Sequence, residues 1–327
     1  MLLGLPSRVS PASTSYYEQF PVSTRSSDHC FVEASIFSPG KPILANQNPC
    51  TLSWTNLSYS VNTTTKNPDG QKTILNDITG RCAPGELTAI MRPSGCGKTT
   101  LLDILSDRIW TGTIKGTIFL NGEKRDVKTF RAVSSYVAQE DSLLGSFTVL
   151  ETLEMAAGLT LPSNVTTICI TKRVQNAIDD MGLRVCENTM VGDIFLKGIS
   201  GGQKRRLSIA IEMLSDPSIL LLNEPTSGLD SAATCNVVKL ISRLSKEGRT
   251  VICTIHQPSS SFYEMFTNLL ILTAGRTVYC GPRVKILSHF SSQGYSCPVP
   301  IPHRSKVGHS NGPKPTWFSR VSQSQVV

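Results

Sequence analysis

Along this chain, stretches with a two-residue apolar period alternate with stretches of 3.6-residue period, and each predicts an element. Residues 52–61 (LSWTNLSYSV) alternate apolar and polar positions as a half-buried strand does. The polar run that follows, NTTTKNPDGQK, reads as a hairpin tip with Asp69-Gly70 at its turn. Residues 86–91 (ELTAIM) read as a short strand entering a glycine-rich turn, and TTLLDIL from Thr99 opens a helix. TGTIKGTIFLNG reads as a strand pair and VSSYVAQ as one more strand. A mainly helical block extends from about 148 to 214, where Val174, Ala177, Ile178 and Met181 fall on one helical face. Ile219–Leu222 is wholly apolar, as a strand buried on both sides of a parallel sheet is. A helix after Ser231 carries Val237, Leu240, Ile241 and Leu244 on one face, and Thr250–Ile255 is another buried strand. Strands and helices that alternate in this way predict an α/β layered core with a helical insertion and no internal repeat.

The two ends lack any period. Residues 1–50, rich in Ser, Thr and Pro, read as a disordered leader, and residues 298–327, rich in Pro, Ser and basic residues, as a disordered tail. Between them, residues 51–297 suffice for one large domain in a chain of 327 residues. No unbroken apolar run exceeds four residues, whereas a spanning helix needs roughly 20. The short apolar start, MLLGLPSRVS, has no basic region before it and stops at Pro6, so it does not read as a signal peptide. Ten cysteines without a CxxC pair suit reduced thiols better than a disulfide framework. On that reading the sequons at Asn56, Asn62 and Asn164 are chance matches.

Charge changes the picture little. The net charge of +8 invites a nucleic-acid reading, but the last acid in the chain is Glu264. Beyond it stand Arg276, Arg283, Lys285, Arg304, Lys306, Lys314 and Arg320, which account for seven of the eight net charges. The basicity belongs to the C-terminal end and is not interleaved with aromatics, so no nucleic-acid partner is expected.

The chemistry is concentrated in a few segments. Arg92-Pro93-Ser94-Gly95-Cys96-Gly97-Lys98-Thr99-Thr100 follows a strand and opens a helix, the context a phosphate-binding loop requires. Backbone N–H groups at a helix N-terminus would wrap a phosphate, Lys98 would add a cation, and the Thr99 hydroxyl would ligate Mg²⁺. Arg92 stands where such loops carry glycine. Either it bears a backbone cost on the order of 1 kcal/mol or more, or its charge compensates near the phosphates. Ser200-Gly201-Gly202-Gln203 again puts small residues before a helix, about 100 residues later and just ahead of an apolar strand ending in Asn223-Glu224.

A phosphate loop, then Gln139, ISGGQ, LLLNEPTSGLD and TIHQPS, in that order, is similar to the motif set of ABC transporter nucleotide-binding domains. The wording TSGLDS and TIHQPS, with Val191-Gly-Asp ahead of the signature, resembles the G (white-type) subfamily over about residues 51–297. The resemblance implies a P-loop NTPase core with an antiparallel β subdomain and a helical signature subdomain. It implies ATP and Mg²⁺ as ligands. Tyr59 matches the aromatic that stacks on adenine, with Trp54 as the alternative because the polar insert leaves the spacing open. Gln139 matches the glutamine that contacts Mg²⁺ and couples to a membrane domain; Ser200, Gly201, Gly202 and Gln203 match the signature that binds a nucleotide held by a second cassette. Glu224 matches the general base, Asp230 the D-loop aspartate and His256 the switch histidine. Phosphoryl transfer needs charge neutralisation and a positioned water, which Lys98, His256 and Glu224 would supply with Mg²⁺.

Two departures bear on activity. The family's strand ends in Asp-Glu, whereas Asn223 here keeps the shape and loses the charge, so weakened Mg²⁺ binding and slow hydrolysis are expected. The G subfamily continues into membrane helices, whereas this pattern passes into the basic tail, so a truncated or frame-shifted product is expected. The resemblance implies a second cassette and a membrane domain supplied elsewhere as partners. It places such a cassette on the cytoplasmic face of a membrane, while this chain alone would be cytoplasmic. Two rival readings are a catalytically weak nucleotide-binding module, and a soluble ABC ATPase acting on ribosomes or DNA.

Overall fold

The computed structural model describes residues 48–62, 71–91, 98–256 and 260–294. The leader up to residue 47, the hairpin tip, residues 92–97 of the phosphate loop and the C-terminal tail lie outside the described residues.

The strands fall into two sheets. The first is antiparallel and built from β1 (Leu52–Asn62), β2 (Gln71–Cys82), β4 (Thr113–Leu120) and β5 (Glu123–Lys124), in the order β2-β1-β4-β5. The second joins β3 (Leu87–Met91), β6 (Ser134–Val137), β7 (Ile219–Leu222), β8 (Thr250–Ile255), β9 (Asn268–Thr273) and β10 (Arg276–Pro282), in the order β10-β9-β3-β8-β7-β6. All pairs in this sheet are parallel except the β9–β10 hairpin at the edge.

The unbroken apolar run of β7 and the mostly apolar ones of β3 and β8 are explained by the layers. Leu87, Ala89, Leu220, Leu222, Val251 and Cys253 point into a core shared with α3 (Val149–Thr160), α4 (Thr167–Asp180), α5 (Gly201–Met213) and α6 (Ser231–Lys246). Ile90, Ile219, Leu221 and Ile252 point to the other face, into a core shared with α1 (Lys98–Leu105) and the antiparallel sheet. Successive side chains of a strand point to opposite faces, so a strand covered on both sides is apolar except where a buried hydroxyl finds a partner, as Thr250 and Thr254 do in β8.

Several elements differ from the reading of the sequence. TGTIKGTIFLNG is one long strand and a turn, not a strand pair, because Gly116 does not turn the chain. With φ at +95°, Gly116 lies against Asn56, whose carbonyl oxygen would stand 2.5 Å from any added Cβ. The turn comes at Asn121-Gly122, both at positive φ, the arrangement that favours a tight hairpin. The helical block is three helices, the first started by a capping box in which Thr148 and Glu151 exchange side-chain and backbone bonds. A short helix, α2 (Val127–Val133), capped by Asp126, and the strand β9 at Leu269–Leu272 were not anticipated. Among the described residues no helix is long and apolar enough to cross a membrane.

Candidate functional site

Four neighbouring strands, in the spatial order β3-β8-β7-β6, deliver the candidate residues to one edge of the parallel sheet. Lys98 opens α1 after β3; His256 follows β8; Asn223 and Glu224 follow β7; Gln139 lies two residues past β6. The carboxyl edge of an open parallel sheet is where ligands bind, because strand ends and helix N-termini converge there.

Glu224 is the hub. Its Oε1 lies 3.6 Å from the Lys98 Nζ, and its Oε2 accepts a 3.1 Å hydrogen bond from the Gln139 Nε2. Lys98 is only 6% exposed and Glu224 18%, so the pair is largely desolvated. A separation of 3.6 Å is ion pairing without a well-formed hydrogen bond. The ammonium sits on the first residue of α1, buried beside this carboxylate. Glu224 itself has φ of +45°, a conformation an L-residue enters at a cost of about 1 kcal/mol or more.

The backbone of Glu224 is held from β8. Its N–H donates to the Thr254 Oγ1 at 2.8 Å, and that hydroxyl donates to the Asn223 Oδ1 at 2.9 Å. Asn223 is buried, and its amide faces the phenol of Tyr136, which donates a 2.7 Å bond to Asp103 on α1. Burial raises the pKa of both Asp103 and Tyr136; the hydrogen bond between them lowers the acid's and raises the phenol's further.

The donor set fits a nucleotide with a hard cation. A buried ammonium, a helix N-terminus and a carboxylate hub supply what a polyphosphate and its attacking water require. Thr99, exposed on the first turn of α1, and the Gln139 side chain offer oxygen ligands of the kind Mg²⁺ takes. Among the described residues no group of three His, Cys, Asp or Glu is assembled to hold a metal.

The remaining sequence-derived residues divide. Thr100 is partly buried on α1, His256 is exposed, and Arg92, Pro93, Ser94, Gly95, Cys96 and Gly97 lie outside the described residues. Ser200 caps α5, accepting from the Gln203 N–H at 3.3 Å while the Gln203 Oε1 accepts from the Ser200 N–H at 2.8 Å. Gly202 packs so closely on α6 that an added Cβ would meet Ala233 at 2.8 Å, whereas Gly201 has ordinary room. Asp230 caps α6 through a 2.7 Å bond from the Ala233 N–H. Tyr59 lies within the antiparallel sheet, 4% exposed, with its hydroxyl donating to the Thr111 carbonyl at 3.1 Å; Trp54 is 1% exposed. Both rings are core residues in this arrangement, packed by the sheet rather than open for stacking.

Two supports escaped the sequence reading. Thr254 was hidden in an apolar run. Arg205, two residues after the signature, stands among several basic residues on a helix. It is 4% exposed, pairs with Asp141 at 3.1 Å, and donates to the carbonyls of Ala138 and Gln139. Ser208 donates to the same Asp141 at 2.7 Å. The helix that begins at the signature thus grips the backbone that carries Gln139. A basic residue one turn into a helix is ordinarily solvated, and only the packed structure reveals this partner.

The sequence profile of the family described as "ABC transporter" matches residues 75–227. ABC transporter G family member 1 of Dictyostelium discoideum is 49% identical over 228 residues, 69% of this chain and 29% of that protein. ABC transporter G family member 6 of Arabidopsis thaliana is 40% identical over 295 residues, 84% of this chain and 40% of that protein. The chain thus spans well under half the length of these relatives. A solved ATP-binding cassette, a dimer in a post-hydrolysis state bound to ADP and Pi, shares the fold with a TM-score of 0.57 at 22% identity, covering 71% of this chain and 98% of that one. The chain therefore belongs to the ABC transporter family, as a nucleotide-binding domain of the G-family kind.

Proposed function

We propose that this chain binds ATP with Mg²⁺ and hydrolyses it slowly, as the cassette of a transporter whose membrane domain is supplied elsewhere. The observation that carries the reading is Glu224, held between Lys98 and Gln139 at the carboxyl edge of the parallel sheet. In this reading Lys98 exchanges its carboxylate partner for phosphate oxygens, which releases Glu224 to accept a proton from water as general base. Gln139 holds the far oxygen of that carboxylate, and His256, at the end of the neighbouring strand, supplies a polar contact to the terminal phosphate. Thr99 and Gln139 serve as ligands of Mg²⁺, with Asn223 beside them. The metal, when bound, neutralises phosphate charge.

Asn223 motivates the slow rate. Its oxygen is already an acceptor for the Thr254 hydroxyl, and an amide adds no negative charge to attract the cation. Arg92, at a glycine position of the phosphate loop, acts in the same direction. The same observation favours a second reading, a cassette that binds nucleotide without turning it over. Mg²⁺-dependent ATPase rates of the protein and of Asn223→Asp separate the two. An acid at this position is expected to raise turnover by about tenfold or more, the rate equivalent of roughly 1.4 kcal/mol. Tight binding of a labelled ATP analogue with no turnover in either protein supports the non-hydrolysing module. No affinity for any purine nucleotide overturns both.

The solved cassette of the same fold is a dimer with ADP and Pi, and we extend that arrangement to this chain. Ser200, Gly201, Gly202 and Gln203 of one copy, with Asp230, face the nucleotide held by the other. Closure on ATP and opening after hydrolysis would act on the membrane domain from its cytoplasmic face. A ribosome- or DNA-directed ATPase is the less favoured alternative, and co-sedimentation with membranes rather than ribosomes distinguishes them.

A further inference from the structure

Thr254 is polar at a position where the pattern of β8 calls for an apolar side chain. It shares the face of Ile252, which packs in the core between the parallel sheet and α1. Its exposure is 0%, and a buried hydroxyl is costly unless both its donor and its acceptor capacity are used. Here both are used, and both on the residues that end β7. Leu222 pairs with Cys253, so Thr254 stands beside Asn223 just where the β7 ladder stops. Beyond that point the Glu224 N–H no longer has a ladder carbonyl to meet. The Thr254 Oγ1 accepts it at 2.8 Å while donating to the Asn223 Oδ1 at 2.9 Å.

We propose that Thr254 is a positioning residue for Glu224: its hydroxyl fixes the Asn223–Glu224 peptide, and so aims the Glu224 carboxylate at the site shared with Lys98 and Gln139. The functional half of this inference rests on the hydrolytic reading above. Glu224 is in the left-handed region at φ +45°, a conformation that persists only where its surroundings over-determine it. Downstream it is tied by the Ser227 N–H donating to its carbonyl at 3.0 Å, and Thr254 supplies the tie on the amide side. Valine fills the same volume without the hydroxyl. It would leave the Glu224 N–H and the Asn223 oxygen without their present partner and let the peptide rotate toward ordinary φ.

The experiment compares the full chain with Thr254→Val and Thr254→Ser by two measurements. The first is amide hydrogen exchange at Glu224, read by NMR. Protection in the parent and the serine variant, with exchange at least about tenfold faster in the valine variant, is expected. Equal protection in all three overturns the proposal. The second is steady-state turnover with ATP and Mg²⁺, using Glu224→Gln as the inactive control. Thr254→Val is expected to lower kcat by about tenfold or more while KM stays within about twofold, and Thr254→Ser to restore it. A valine variant with parental kcat, or a serine variant no better than valine, overturns the positioning role. If the parent turns over no faster than Glu224→Gln, the hydrolytic reading fails by itself, and the exchange measurement still decides whether Thr254 holds Glu224. Should Thr254→Val not fold, Thr254→Ala removes the same hydroxyl with less bulk and is measured in its place.

Discussion

Lys98 illustrates how one residue's surroundings define its task. A lysine that is 94% buried needs an anion, and the carboxylate of Glu224 lies 3.6 Å away. On the proposed reading a phosphate takes over that role, so Lys98→Ala is expected to weaken nucleotide affinity by roughly tenfold to a hundredfold, the range of a hydrogen bond to a charged group. Equilibrium titration with a labelled ATP analogue reads this directly, and unchanged affinity would remove Lys98 from the site. The buried thiols behave differently. Cys82 is wholly enclosed, and burial pushes its pKa up to about 12, so it has the inertness of a small apolar residue rather than the reactivity of a nucleophile. The described cysteines are all free thiols.

At the scale of elements, α5 does two things at once. Its first turn carries the signature segment, closed by the Ser200–Gln203 capping box. Its second carries Arg205, which binds Asp141 and the carbonyls of Ala138 and Gln139. Signature and Gln139 segment are therefore joined through one guanidinium. Arg205→Met is expected to lower stability by about 3 kcal/mol, because Asp141 is left with its charge largely buried and its main partner gone. Denaturant midpoints of Arg205→Met, Asp141→Asn and the double variant measure this. The double loss is expected to fall short of the sum of the single losses, and strict additivity would mean that the pair is not coupled. The strand β4 shows the converse case, in which backbone geometry overrides a sequence signal. Gly116 looks like a turn residue and instead lets β4 pass the bulge of β1 at Asn56.

For the whole molecule, the parallel sheet separates two cores and leaves one edge open for chemistry. The candidate catalytic residues gather there on β3, β6, β7 and β8, while the signature segment is committed to α5 and packs on α6 through Gly202 and Ala233. The proposed second copy would bring its own signature to this edge. Glu224→Gln, which on the proposed reading would hold ATP without consuming it, is expected to shift from monomer to dimer mass in light scattering when ATP and Mg²⁺ are added. Adding Ser200→Arg, which places bulk and charge at the exposed first turn of α5, is expected to abolish that shift. A monomer under all conditions would count against the two-cassette arrangement.

What was legible in the sequence is what depends on neighbours along the chain. The wholly apolar run at Ile219–Leu222 and the largely apolar one at Thr250–Ile255 pointed to buried parallel strands, because a strand covered on both faces has little use for polar side chains. The order of the motifs carried the family. The tertiary structure alone decided which polar groups meet. Thr254 and Arg205 are distant in sequence from Glu224 and Asp141, and a hydroxyl or a guanidinium within a patterned segment does not reveal its partner. Only folding, by placing β8 beside β7 and α5 beneath the end of β6, turns them into the supports of the site. The cost of an unpaired buried polar group then holds each to its partner.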